Sequence, residues 1–196
     1  ALLNSVAALE NFDYLVISGS HPEGLDPEFM PQLIQIARQK NARSIFDASG
    51  AALQQAVRHG GLFLIKPSLS ELSSLTGEEI SEPEHLAQAT KDLIQSGGCE
   101  AIMVSMGAQG ALLATRDRVE RISAPNVKKI STVGAGDSLL AAMVIKLSEG
   151  ASLSQAARYG VAAGSAAIMT RGTNLCRKEE TDRLFAWIQR HHQEVT

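Results

Sequence analysis

Positive charge is in short supply: 18 Lys and Arg stand against 21 Asp and Glu in 196 residues, a formal net charge of −3. A nucleic-acid surface needs a basic patch, so that class of partner is excluded. Lys128-Lys129 is too small a patch to change this. Cysteine is nearly absent. Cys99 and Cys176 lack metal-ligand spacing and no secretory signal precedes them, so free thiols in a cytoplasmic protein are expected. Aromatic residues make up 4% and hydrophobic residues 44%, which predicts a core of Leu, Ile, Val and Ala. The Ala-rich run from Val161 to Met169 is too short for a membrane span. Internal repeats and low-complexity tracts are also missing. The length fits one α/β domain with small pieces attached.

What is present is alternation. Tyr14 to Ser18 reads as a buried strand, and Pro27 to Lys40 as a helix with Phe29, Leu33, Ile36 and Ala37 on one side. Strands are predicted over Ser44 to Asp47, Leu62 to Ile65 and Ala101 to Ser105, with a hairpin over Ala111 to Thr115 and Val119 to Ile122. Helices are predicted over Ala51 to Arg58, Ser68 to Leu75, Glu84 to Gln95, Asp137 to Ser148, Leu153 to Met169 and Glu179 to about His192. Such alternation implies right-handed crossovers and a mainly parallel sheet, with ligands beyond the carboxyl ends of its strands.

Ser131-Thr132-Val133-Gly134-Ala135-Gly136-Asp137-Ser138 is the most informative stretch. Leu139, Leu140, Met143, Val144 and Leu147 follow it at helical spacing, so a glycine-rich turn opens into an amphipathic helix. Backbone amides at that helix start face outward unpaired and attract anions. Asp137 adds a carboxylate, and anion cradle plus carboxylate suits phosphoryl transfer to an alcohol. A turn with Asp or Ser as capping residue explains the same letters. A dinucleotide fingerprint would need a third glycine at Leu139, and a Walker loop would need Gly-Lys-Ser/Thr.

The stretch resembles the second signature of the PfkB/ribokinase family of carbohydrate kinases. Other family-like segments occur in family order: Val16-Ile17-Ser18-Gly19-Ser20-His21-Pro22-Glu23-Gly24, Lys66-Pro67-Ser68-Leu69-Ser70-Glu71-Leu72, Val104-Ser105-Met106-Gly107-Ala108-Gln109-Gly110-Ala111 and Val161-Ala162-Ala163-Gly164-Ser165-Ala166-Ala167. The resemblance implies a ribokinase-like three-layer α/β/α sandwich with a mainly parallel central sheet. It implies a single kinase domain over 1–196, seen without the family's leading segment and β lid. It also implies transfer of the γ-phosphoryl group of ATP to a phosphosugar, fructose 6-phosphate foremost. Tagatose 6-phosphate, fructose 1-phosphate or unphosphorylated sugars and nucleosides are the alternatives. A nucleotide-binding remnant without turnover is the rival from another class.

By the same resemblance, Asp137 is the base that meets the sugar hydroxyl, and Gly134, Ala135 and Gly136 donate amides to the phosphoryl group. Lys66, Ser68, Ser105, Gly107, Gly110, Lys129, Thr132, Val161 and Ser165 are the nucleotide positions, and Ser20 meets the sugar. Glu71 would position Mg²⁺ through water. Ser68 stands where the family has Asn, and Ser68-x-x-Glu71 is also a capping box. Some relatives hold a monovalent cation such as K⁺ with carbonyls; the matching positions are Ser131, Val133, Ala167, Thr170, Gly172 and Asn174. Gly160 and Gly164 are read as packing glycines, His21 as a solvated turn residue, and His191-His192 as an exposed tail. Asp47, at a strand end, receives no role. No membrane partner is expected, and a homo-oligomer is compatible with the family because relatives pair through the lid.

Overall fold

Apolar runs become strands, and the amphipathic stretches between them become helices, throughout the residues that the computed structural model describes, 1–20 and 24–191. In chain order these are α1 (Leu2–Ala8), β1 (Tyr14–Ser18), α2 (Phe29–Gln39), β2 (Arg43–Asp47), α3 (Gly50–His59), β3 (Leu62–Ile65), α4 (Leu69–Thr76) and α5 (Pro83–Gln95). Then come β4 (Cys99–Ser105), a 3₁₀ turn (Gly107–Gln109), β5 (Ala111–Thr115), β6 (Val119–Ile122), α6 (Ala135–Ser148), α7 (Leu153–Ala167) and α8 (Lys178–His191). The strands make one six-stranded sheet in chain order, and β1 to β4 pair in parallel, as the alternation predicts. The chain divides into two units: Ala1–Val104 with Ala114–Arg118, and Ser105–Leu113 with Val119–Thr196.

In the first unit, every residue of β3 is buried, as are Ile45 and Phe46 of β2 and Ala101 to Val104 of β4. Continuous apolar runs of this kind belong to parallel strands covered on both faces. β1 departs from the expectation of a buried strand: Val16 is 41% exposed. β1 ends the strand order, and α1 buries none of its own residues. The buried stripe of α2 is Met30, Leu33, Ile34 and Ala37, while Phe29 and Ile36 are only half-buried. The periodicity was therefore right but the face is turned by one position, because the i, i+3, i+4, i+7 set starts at Met30. Pairing aligns Ser18 with Asp47 and Phe46 with Ile65, so the carboxyl ends of β1, β2 and β3 finish level.

In the second unit, α7 lies close against α6. A Cβ added at Gly160 would sit 2.6 Å from Met143 Cγ and 2.8 Å from the Leu139 carbonyl, and one at Gly164 would sit 3.1 Å from the Ala135 carbonyl. Both are packing glycines, as the sequence suggested. Gly110 is confined more tightly. Its φ is +95°, and a Cβ there would meet the Ile122 carbonyl at 2.0 Å and the Ala124 amide nitrogen at 2.6 Å. Glu120 on β6 is buried and is held by Arg158 Nε at 2.7 Å and Ser154 Oγ at 2.6 Å, both on α7. Tyr159 donates to Asp182 at 2.8 Å and meets Phe185 edge-on at 5.2 Å between centroids, which ties α7 to α8. On α8, the Trp187 and His191 rings stack 4.3 Å apart. α6 begins earlier and α7 ends earlier than expected, and His192 lies outside the described residues.

Two outcomes follow from this packing. Gly110→Ala forces backbone apart and is expected to destabilise by about 3 kcal/mol, read as a fall in thermal midpoint. Burial first, and then Glu100, push the Cys99 thiol up to about 12, whereas Cys176 is half-buried. A thiol reagent at pH 8 is therefore expected to label Cys176 on the native protein and Cys99 only after unfolding; equal labelling would contradict the buried assignment.

Candidate active site

The glycine-rich loop feeds α6 through Gly134, whose φ of +76° is the left-handed conformation that glycine takes without strain. Gly134 is the N-cap and has no side chain to cap with, so the plain capping explanation does not describe this helix start. Ala135, Gly136 and Asp137 are its first three residues. Asp137 is exposed, at the positive end of the helix dipole. The first intrahelical bond runs from the Ser138 amide to the Gly134 carbonyl at 2.9 Å. One amide is less free than expected: that of Ala135 turns back to the Thr132 carbonyl at 3.4 Å. The amides of Gly136 and Asp137 precede the helical ladder and remain the better anion donors. Leu175 overhangs the loop, with Cδ2 3.2 Å from where a Gly134 Cβ would stand. Behind Asp137, Ser138 Oγ is buried and finds no hydrogen-bond partner.

The cation positions fall around the same loop. Ser131 Oγ donates to the Gly172 carbonyl at 3.1 Å and accepts the Val133 amide at 3.2 Å. Thr170 Oγ1 donates to the Ala167 carbonyl at 2.8 Å and also reaches the Asn174 carbonyl. The Ile168 carbonyl accepts the amides of both Ile130 and Ser131. The oxygens gathered here are neutral carbonyls and hydroxyls, a donor set suited to K⁺. Thr132 is exposed beside them, and Lys129 is exposed in the extended segment before them. Val161 and Ser165 lie within α7 at 3% and 6% exposure, so each offers a base only a sliver of surface.

Ser105 ends β4, and Gly107, with a φ of +58°, opens the 3₁₀ turn that Gly110 closes. The Met106 amide donates to the Gly110 carbonyl at 2.9 Å, and the Gly110 amide to that of Gly107 at 3.1 Å. Gly110 is thus required by the turn itself, whatever binds there.

In the first unit, Ser20 is exposed just past β1, after Gly19, whose amide donates to the Asp47 carbonyl at 3.1 Å. His21, Pro22 and Glu23 lie outside the described residues. Lys66 is not solvated, as a lysine at a strand end commonly is. It is 8% exposed, and its Nζ lies 3.0 Å from Asp47 Oδ1. Sequence reasoning missed Asp47; the signal available was its position at the end of the strand before the one that Lys66 follows. Ser68 caps α4 and accepts the Glu71 amide at 3.2 Å, while Glu71 Oε2 accepts the Ser68 amide at 2.7 Å. The capping box is therefore formed. Among the described residues no group of three His, Cys, Asp or Glu could hold a metal ion. Mg²⁺ keeps several of its own waters and needs no such protein cage.

Comparison with known proteins agrees with this geometry. The curated Escherichia coli ATP-dependent 6-phosphofructokinase isozyme 2 is 42% identical over 189 residues, covering 96% of this chain and 61% of the relative. The 1-phosphofructokinase of Bacillus subtilis is 36% identical over 166 residues, covering 85% of this chain and 54% of that protein. The crystal structure of E. coli phosphofructokinase-2 in complex with potassium superposes with a TM-score of 0.91 at 41% identity, over 96% of this chain and 61% of that one; another structure of that protein is its tetrameric inhibited form. Arabidopsis thaliana ribokinase, at 21% identity and a TM-score of 0.78, covering 93% of this chain and 58% of that one, shares the ribokinase-like fold. The chain spans about three fifths of the length of the E. coli relative. A family model described as pfkB family carbohydrate kinase matches residues 1–180. With its signature loop at the start of α6 and this match over most of its length, the chain belongs to the pfkB family of carbohydrate kinases.

Proposed function

We propose that this chain is part of an ATP-dependent phosphosugar kinase that converts fructose 6-phosphate to fructose 1,6-bisphosphate. The observation that carries the reading is the start of α6: a left-handed glycine cap, outward amides and an exposed Asp137 with no capping task. The sugar hydroxyl oxygen attacks the γ-phosphorus, the bond from that phosphorus to the ADP bridging oxygen breaks, and the hydroxyl proton passes to the Asp137 carboxylate. In a loose transition state the proton leaves late, so Asp137 first orients the hydroxyl and then accepts. Of the loop positions Gly134, Ala135 and Gly136, the Ala135 amide must first leave the Thr132 carbonyl, whereas the Gly136 amide, with that of Asp137 beside it, faces the charge that spreads over the phosphoryl oxygens most freely.

Lys66 meets the nucleotide's phosphates; Ser105, Gly107, Gly110, Lys129 and Thr132 line the nucleotide, with Val161 and Ser165 beside the base. Ser20 meets the sugar. Glu71 binds water of the magnesium shell, and Mg²⁺ when bound neutralises phosphate charge. Ser131, Val133, Ala167, Thr170, Gly172 and Asn174 would hold K⁺ through backbone carbonyls, of which that of Gly172 already accepts the Ser131 hydroxyl and that of Ala167 the Thr170 hydroxyl. No helix among the described residues is long and apolar enough to cross a membrane, and the reading takes the protein as cytoplasmic and homo-oligomeric. The B. subtilis relative favours fructose 1-phosphate as second substrate candidate, with tagatose 6-phosphate beside it.

The test is ADP release from Mg-ATP by the full-length protein with each of these sugars. Asp137→Asn is expected to lower kcat by about 10²–10⁴-fold while KM values hold, the usual cost of removing a positioned proton acceptor. A folded Gly136→Val protein is expected to lose turnover because the side chain blocks phosphate approach; normal turnover would remove the loop from the chemistry.

A further inference from the structure

A buried lysine needs an explanation, since the residue type is almost never covered unless paired. Lys66 follows β3 and Asp47 ends β2. Phe46 is registered with Ile65, so the two charged residues are the next pair along neighbouring parallel strands. The Lys66 amide donates to the Phe46 carbonyl at 3.1 Å, which fixes the backbone from which the side chain springs. The Asp47 carbonyl in turn accepts the Gly19 amide at 3.1 Å, which fixes the acid from the other side. Nζ and Oδ1 stand 3.0 Å apart, with exposures of 8% and 16%. Both ends of this ion pair are thus anchored at the carboxyl edge of the strands, where ligands of such sheets bind.

We propose that Asp47 is a positioning residue for nucleotide binding, holding the Lys66 ammonium in place to meet the phosphates of ATP. The assignment rests on the kinase reading above. A lysine has a long flexible stem and three donors on a point charge. One donor direction given to Asp47 stops the stem from wandering and leaves the ammonium others to offer to phosphate. The carboxylate also keeps the covered ammonium from being an unpaired buried charge. A polyphosphate then meets a cation already in position, and less ordering entropy has to be lost on binding.

The experiment is a double-mutant cycle in the full-length protein with Asp47→Asn, Lys66→Met and both together. It reads KM for Mg-ATP, KM for fructose 6-phosphate and kcat. Each single variant is expected to raise the Mg-ATP KM about tenfold, the worth of one hydrogen bond to a charged group, with the sugar KM unmoved. The double variant is expected to be no worse than Lys66→Met alone, because Asp47 acts through that lysine. Asp47→Glu keeps the charge and should recover most of the nucleotide KM, which a packing role would not do. Additive losses, or an Asp47→Asn enzyme with the wild-type Mg-ATP KM, overturn the assignment. If Asp47→Asn does not fold, ¹³C-labelled lysine in the wild-type protein decides: the Lys66 Cε resonance must stand apart from solvated lysines and move on adding Mg-ADP, and a solvated-type signal overturns it. Absence of sugar-dependent ADP release from wild type refutes the kinase reading itself; the cycle is then run on Mg-ATP binding by calorimetry, where the same non-additivity is required.

Discussion

The close approach of α7 to α6 is the constraint on which the glycine-rich loop depends. A helix accepts glycine at a cost of roughly 1 kcal/mol each relative to alanine, and α7 takes that cost at Gly160 and Gly164, one turn apart on one face. What the chain gains is a seam in which helix backbone meets helix backbone at the Leu139 and Ala135 carbonyls. Ala135 is the first helical residue of α6, so Gly164 lies directly behind the turn whose amides face outward. Just beyond the end of α7, the Ile168 carbonyl takes the amides of Ile130 and Ser131, which begin the loop. One helix therefore braces the loop at its entry and at its exit into α6. Fixed support of this kind holds the outward amides of Gly136 and Asp137 in one arrangement, as preorganised donors need.

The first unit reaches the same end by a different route. There the parallel register brings the ends of β1, β2 and β3 level, and the loops leaving them are cross-linked through Asp47, by its carbonyl to Gly19 and its carboxylate to Lys66. α4 then starts immediately, capped reciprocally by Ser68 and Glu71. The connections from β2 to α3 and from β3 to α4 are short and leave little slack. The charge of the buried Lys66 ammonium is met locally, by the Asp47 carboxylate at 3.0 Å.

Much of this was legible in the sequence, for reasons that differ by element. The order of strands and helices follows from period and punctuation, and the Ser68-x-x-Glu71 cap is written in four adjacent letters. Ser152-x-x-Gln155 at the start of α7 is a second such cap that carried the same signal. The glycine loop was readable because its residues are contiguous in the sequence and open directly into α6. The burial of Lys66 was not readable, and the sequence showed of Asp47 only its place at a strand end, since their pairing arises from register between strands that α3 separates. The exposure of β1 and the turned face of α2 depend on which neighbours cover them, and a periodic pattern does not name its neighbours. The start of α6 at Ala135 hinged on a left-handed Gly134, a conformation glycine permits but does not announce.

Trp187 is the chain's lone indole, and it sits on α8 stacked against His191. Intrinsic fluorescence of this chain is accordingly a reporter of the end of α8 and of imidazole charge, since an imidazolium against an indole quenches its emission. Neither the glycine loop nor β1, β2 and β3 contains a tryptophan. An optical probe of nucleotide arrival would have to be built in, at a position chosen near Thr132 or Leu175. The native emission would then serve as the internal control for the fold of the carboxyl-terminal helix.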